Sequence, residues 1–511
     1  MTTITTSTPA ARTPAAGSEL RRDALGISTL FFATATAIAP LTAALLGVPL
    51  VVFGVGWAAP AGFLVAAAML AVFAVGYVEM ARRLRSAGGF YTFVSAGLGR
   101  VPGLGTASMV TTAYAVFTAS LIGAFAYFTS TTIESWTGSS IPVWALLVGA
   151  LVVNLVFAYF EVRITARVLG AFFVAELAGL LVFALAVLVQ GGAEGLTAAP
   201  LNPLAILDNQ GAIAVFGAAA PGIALYSAFS SWLGFEMAPS YSEETQSRRG
   251  IARVTLGTLL AMAVVYVLVS YAFVVGHGLD GAAAAVAGQF QGEVASAFYP
   301  LTDRYAGAAL THAFELLIVT SVFAAQLAVF NVAARYLFAL GRDSVLPRAL
   351  GRTHGRRGTP HIASGVLAIA LALYIGAFQV HDASRDAALL KLAIWSSLLG
   401  ILGVIAAQAL TSFAIVAYFR RIPGASRWRT LMAPLAGAGL MLFSAYLVVH
   451  NRETLAGAEG APFVEAIPWT VVAAFAAGVA AALWLRARDA AGYRAVGRVV
   501  TEEAQPTPYH T

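Results

Sequence analysis

"SSWLGFEMAPS", residues 230–240, is the stretch on which the fold turns. It sets a carboxylate, Glu236, inside a long apolar run, with Ser230, Ser231 and Gly234 before it and Pro239 after it. A charge at the centre of a membrane helix is costly and marks a functional site by default. Glycine weakens the helix that carries it. The stretch therefore reads as a membrane helix interrupted beside an acid.

The chain around it supports a membrane setting. Of 511 residues, 59% are hydrophobic and 11% charged, whereas a soluble domain carries roughly 25% charged residues. Apolar runs of about 20 residues recur along the whole chain, the length that crosses a bilayer core of about 30 Å as a helix. The short alternating segments of a β-barrel are not seen. The fold class is an all-α polytopic membrane protein. There is no cysteine, which excludes disulfides, thiolate metal sites and cysteine nucleophiles. Residues 1–23 are polar and small and lack a signal peptide's apolar core, so they read as a disordered cytoplasmic tail.

Twelve spans are expected, at 24–48, 57–82, 104–134, 141–160, 166–190, 213–241, 251–276, 308–340, 361–380, 388–419, 430–449 and 467–486. The basic residues test that topology. With the N-terminus in the cytoplasm, all of the 30 Lys and Arg except Arg304, Arg385, Lys391 and Arg452 fall on the cytoplasmic side, as the positive-inside rule requires. One missed span would scramble the asymmetry. Both termini are then cytoplasmic, in a cell (inner or plasma) membrane. Residues 86–100, "SAGGFYTFVSAGLGR", suit a short helix lying at the membrane face. Residues 279–307 form a long external loop, partly helical, that suits a lid.

Residues 24–48 contain a second interruption. "ATATAIAP" places small residues and two threonines before Pro40, and a proline removes a backbone donor and disfavours helix in the residue before it. Irregular backbone at membrane depth is tolerated only where it lines a cavity or is buried in protein. Interrupted spans at matching positions of two halves point to a transporter's substrate site. Here the breaks fall in the first and sixth spans. That spacing implies two five-span repeats of opposite topology, 24–190 and 213–419, then two extra spans over 430–487 and a cytoplasmic tail over 488–511. A broken helix frees N–H groups at one half and C=O groups at the other. The first suit a carboxylate and the second an ammonium or a sodium ion, so two facing breaks suit an amino acid.

Three segments carry a family resemblance. "SAGGFYTF" (86–93), "GFEMAPSYSEETQSRRGIARV" (234–254) and "NVAARYLFALGRDSVLPRALGR" (331–352) resemble motifs of the amino acid–polyamine–organocation superfamily. The resemblance implies the inverted-repeat fold of the sodium-coupled leucine transporter, with a site midway across the membrane. Carried over by position, Thr36, Ala37, Ile38, Ala39 and Pro40 form one half of that site, and Ser230, Ser231, Trp232, Leu233 and Gly234 the other. The first break departs from the family's usual glycine-rich form. The resemblance also makes Glu236 a proton-responsive group between the site and the inner gate. Glu176 stands where some proton-coupled relatives carry a lysine whose ammonium replaces sodium, and reverses its charge. Thr320 and Ser321 match the hydroxyl pair that ligates sodium in sodium-coupled members, a possible cation site. Glu315, a third acid within a span, is expected to reach the interface. Tyr114, Gln326 and Asn331 are further polar residues along the expected pathway.

The functional expectation is a permease, not an enzyme. No H-E-x-x-H set and no G-x-x-x-x-G-K-[ST] motif occurs, and there is no continuous polar stripe for a channel. The cargo is a small molecule, with a neutral amino acid preferred and a polyamine or other amine as the alternative. A proton is the first choice of coupling ion, through Glu236 and Glu176. Sodium is second and exchange third. A channel or a non-transporting sensor is the more distant reading. No resident cofactor and no nucleic acid are expected, and the partners are the substrate and the bilayer.

Overall fold

The computed structural model describes residues 25–497 apart from 85, 160–161, 208–220, 246–247, 292 and 356. The expected N-terminal tail, the start of the sixth span at 213 and the end of the C-terminal tail lie outside the described residues. Among the described residues the chain is all helical, with one isolated bridge between Leu25 and Thr245.

The helices run in chain order. The first third holds α1 (Ile27–Ile38), α2 (Pro40–Thr42), α3 (Val48–Val55), α4 (Ala59–Ala81), α5 (Gly89–Leu98), α6 (Arg100–Thr137) and α7 (Val143–Tyr159). The middle holds α8 (Val162–Val189), α9 (Pro221–Ser230), α10 (Arg248–His277), α11 (Leu279–Phe290), α12 (Phe298–Ala306) and α13 (Ala308–Arg342). The last part holds α14 (His361–His381), α15 (Arg385–Ala387), α16 (Ser396–Phe419), α17 (Ala433–His450), α18 (Arg452–Ala456), α19 (Pro462–Arg488) and α20 (Ala490–Ala495). A π-helical turn over Ala43–Gly47 joins α2 to α3, and a 3₁₀ helix, Phe235–Tyr241, follows α9 after a turn.

Among the described residues nine helical stretches are long and apolar enough to cross a membrane. The first, Ile27–Ala81, contains two of the expected spans, folded back at Gly56, whose φ is 55°. Val143–Tyr159 is a shorter apolar helix. The long helix α6 packs against α13, α16 and α19, and α4 packs against α10 and α17. Against this frame lie the interrupted elements. α1 contacts α8, α10 and α13, and α9 contacts α3 and α4.

Two loops differ in detail from their sequence reading. Residues 89–98 are helical as expected, and α5 is enclosed by protein rather than exposed along one face. Phe90, Tyr91 and Phe93 are each 1% exposed, and α5 is wedged against α6 and α16, with Gly97 directly against the Ala414 carbonyl. Phe90, Tyr91 and Phe93 point around a helix rather than along one face, so all three bury only when protein surrounds it. The loop expected to be external forms α11 and α12, which dock on neighbouring helices. Phe298 meets Phe183 and Phe273, and the Tyr305 hydroxyl donates to the Gly276 carbonyl at 3.2 Å.

Candidate functional site

The first break is at Ala39, between α1 and α2. Its φ of 49° and ψ of 72° are left-handed, a conformation that costs a non-glycine residue roughly 1–2 kcal/mol. Pro40 opens the next half at N1, where its missing N–H costs nothing. The Ala39 N–H turns back to the Thr36 carbonyl at 3.2 Å. The Leu41 and Thr42 N–H groups point at other spans instead of at Ala37 and Ile38. Leu41 donates to Glu176 Oε2 at 3.3 Å, and Thr42 to Ser321 Oγ at 3.3 Å. The carbonyls of Ala37 and Ile38 thus lose their helical donors.

The second break runs through Ser231–Gly234. Gly234 has φ 122° and ψ −26°, open only to glycine. Its neighbour across the break is the first break. A Cβ on Gly234 would lie 2.9 Å from Ala37 Cβ, 3.0 Å from the Ala37 carbonyl carbon and 3.1 Å from the Ile38 nitrogen. The two interruptions expected from sequence are therefore in contact, and nine of the ten expected binding residues are buried, Ser230 partly so. α10 holds the second break. Trp232 Nε1 donates to the Leu259 carbonyl at 3.1 Å, and the Tyr266 hydroxyl donates to the Ser231 carbonyl at 3.0 Å.

Each break carries one glutamate. Glu176, 1% exposed, reaches from α8 to the first. Besides Leu41 N–H, its Oε2 accepts from Ser321 Oγ at 2.7 Å, and the Thr42 hydroxyl donates to Ser321 Oγ at 2.9 Å. Glu236, 2% exposed, closes on the second. It accepts from Gly234 N–H at 2.9 Å and from the Tyr114 hydroxyl at 2.9 Å, while Tyr77 donates to its carbonyl at 2.6 Å. Buried carboxylates persist only with such partners. Thr320 does not join Ser321. Its hydroxyl donates to the Leu317 carbonyl within α13 at 3.0 Å. Glu315 is remote from the breaks, accepting from Trp136 Nε1 at 2.7 Å and lying 3.1 Å from His312 Nδ1. Gln326 is fully buried with neither amide atom partnered, and so is Asn154 of α7, which sequence reading passed over. A lone asparagine in an apolar run was the available signal.

The comparisons with known proteins fit this geometry. The family profile for amino acid permeases matches residues 25–483, nearly the whole chain. The protein belongs to the amino acid permease family. A comparison with curated proteins finds no match. Among solved structures, the permease is similar to the manganese transporter of Eremococcus coleocola in complex with an aromatic bis-isothiourea substituted compound. Their TM-score is 0.57 at 12% identity, over 94% of this chain and 98% of that chain. A mutant of that transporter matches with a TM-score of 0.54 at 11% identity, over 91% and 95% of the two chains. At such identity the likeness is one of fold.

The three family motifs of the permease meet at its arginine-rich end. Ser86 N–H donates to Ser242 Oγ at 2.8 Å, and Ala87 N–H to Glu243 Oε1 at 2.8 Å. Glu243 takes a fork from Arg342 at 2.7 and 2.8 Å. Arg335 donates twice to Glu244 Oε1, at 3.0 and 2.8 Å, and lies 4.2 Å over the Tyr241 ring. Leu25 N–H, just before α1, donates to the Glu244 carbonyl at 2.9 Å. Tyr77, Tyr114 and Tyr336 fill the space between this network and the breaks, with Phe90 N–H donating to the Tyr336 hydroxyl at 3.1 Å. This side of the site is shut by charge pairs and aromatic rings.

Asp343, just past α13, adds a pH dependence. It accepts from Tyr91 at 2.7 Å and from Gly497 N–H at 3.0 Å. Burial nevertheless pushes its carboxyl up to about 6 from 3.8, against the pull of Tyr91 and Arg342. A carboxyl raised by folding binds its proton more tightly in the folded state, so it favours folding at low pH. That contribution fades as pH rises from 3.8 through about 6. Asp343→Asn should remove the slope. Thermal unfolding from pH 4 to 7 should show wild type losing on the order of 1–3 kcal/mol relative to the variant. Parallel curves would contradict it.

Proposed function

We propose that the permease is a secondary active transporter that moves an amino acid or a related organic amine by alternating access, driven by protons. The observation that carries this is the contact of Gly234 with the Ala37–Ile38 peptide, which sets two helix breaks face to face. Discontinuous helices meeting within a bundle are how such carriers build a site that opens to each side in turn. The breaks fall five spans apart in the twelve-span reading, which supports inverted five-span halves 24–190 and 213–419. The arginine distribution supports cytoplasmic termini.

Glu236 and Glu176 are the proton carriers in this reading. Each is tied to backbone N–H of a broken segment, so loading a proton weakens those bonds and loosens a break. Glu236 also holds Tyr114 at the shut side. Sodium coupling is the alternative, and Ser321 hydroxyl would be a ligand for it. Manganese is the cargo of the structurally similar transporter. For this chain an organic substrate is favoured, since among the described residues no three His, Asp or Glu side chains gather as a ligand set.

The test is uptake into proteoliposomes under an inward proton gradient. Wild type should show saturable uptake that a protonophore abolishes. Glu236→Gln should lower the rate by about 100-fold or more, the scale of a lost proton-transfer group, and flatten its pH profile. Unchanged rate and profile would remove Glu236 from the mechanism, and fast non-saturating flux would mean a channel.

A further inference from the structure

An amino acid needs donors for its carboxylate and acceptors for its ammonium. Backbone groups can be accounted for one by one, and at these breaks the backbone N–H groups are engaged. At the first break, Ala39 N–H is taken by Thr36, Pro40 has none, and Leu41 and Thr42 serve Glu176 and Ser321. At the second, the N–H groups of Ser231, Trp232 and Leu233 turn back to carbonyls of Ser227, Phe229 and Ser230. Gly234 N–H serves Glu236.

The break side chains repeat the pattern, while the Ser227 hydroxyl one turn earlier is left unpartnered. Thr36 donates to the Phe32 carbonyl, Ser230 and Ser231 to that of Ser227, and Trp232 to that of Leu259. Residues 27–55 and 221–241 contain no Lys, Arg or His. The acceptors are in surplus. Ala37 and Ile38 carbonyls lack their helical donors, and two carboxylates stand beside them. A substrate carboxylate entering here would have to displace an internal glutamate from the N–H and hydroxyl groups that it holds, which costs affinity. An ammonium meets the freed carbonyls and the glutamate oxygens.

Narrowing the amino acid-or-amine reading above, we infer that the breaks select an organic ammonium without an α-carboxylate. Glu176 and Glu236 fill the two places where an amino acid's carboxylate would dock. The neutral amino acid expected from sequence is then the weaker ligand.

Matched pairs test this on the purified full-length protein: 3-methylbutylamine against leucine, tyramine against tyrosine, agmatine against arginine and ethanolamine against serine. Thermal shift and competition should show one or more amines binding at least tenfold tighter than the parent amino acid. Glu176→Gln should weaken that amine at least tenfold, with Ser321→Ala as a milder second variant. An amino acid that binds as tightly as its amine, a shift with manganese chloride alone, or no shift by any member would overturn the inference. Proteoliposome uptake separates it from the transporter reading. An amine that binds but is not moved sinks the transporter reading alone, and an amino acid that is moved while its amine neither binds nor competes sinks the inference alone.

Discussion

Gly234→Ala is expected to abolish transport in a protein that still folds and inserts. The native φ of 122° and ψ of −26° would strain an alanine by about 1–3 kcal/mol. The added methyl would also enter the contact with Ala37 and Ile38, at 2.9–3.1 Å from three atoms of the opposing break. Neither segment can retreat easily. Trp232 and Tyr266 pin the second break to α10, and Glu176 and Ser321 pin the first. The substitution therefore pushes apart the two surfaces that must close over a substrate. Displacing a reacting or binding group by about 1 Å costs about 100-fold in rate in enzymes, and a loss of that order is expected in uptake. Gly439→Ala is the control. A Cβ there meets nothing within 4 Å, and a helical glycine replaced by alanine gains up to about 1 kcal/mol. Uptake by Gly234→Ala at the wild-type rate would mean that the breaks do not close on each other.

Arg335→Ala should be the most destabilising single change at the arginine-rich end. Arg335 and Glu244 side chains are each 4% exposed and 2.8 Å apart. Removing the guanidinium leaves a buried carboxylate without its cation, at about 3–5 kcal/mol. It also frees Leu25 and the stretch after Tyr241 to separate, since Glu244 is the residue both sides use. The paired change Arg335→Met with Glu244→Leu should restore most of the stability, because no uncompensated charge remains, while leaving the arginine-rich end poorly sealed. At the opposite end Arg385 pairs with Glu134, 38% and 47% exposed. Breaking that pair should cost at most about 1 kcal/mol. Thermal unfolding of the three variants in detergent measures the contrast. Equal small losses at both ends would show that the Arg335–Glu244 network is not a clamp.

Much of this was legible in the sequence, for stateable reasons. A bilayer-length apolar run has one good backbone solution, so the helices lie close to where the runs predict them. Pro40 and Gly234 announce the breaks because one lacks a donor and the other alone tolerates its backbone angles. Ala39, the residue before Pro40, was among the expected break residues, but its left-handed backbone was not legible. Ala39 is an alanine in a left-handed conformation, held there by its surroundings. Nor were the partners of the freed N–H groups legible. Glu176 is 135 residues from Leu41 and 145 from Ser321, and only tertiary packing joins them. The same holds for Tyr77 and Tyr114 around Glu236, and for Gly497 on Asp343. α5 misled because its glycines and aromatics fit a surface helix as well as a buried one.

The absence of cysteine from the chain allows the most direct measurement. Ser230→Cys places one thiol at the second break, at its most accessible residue. A membrane-impermeant maleimide is applied to right-side-out and to inside-out vesicles. Alternating access predicts labelling from both sides, each slow, and each slowed further by a ligand that shifts the protein's thermal unfolding. A thiol reached from one side only, or labelled at the same rate with and without that ligand, would contradict a site that the two broken helices open to each side in turn.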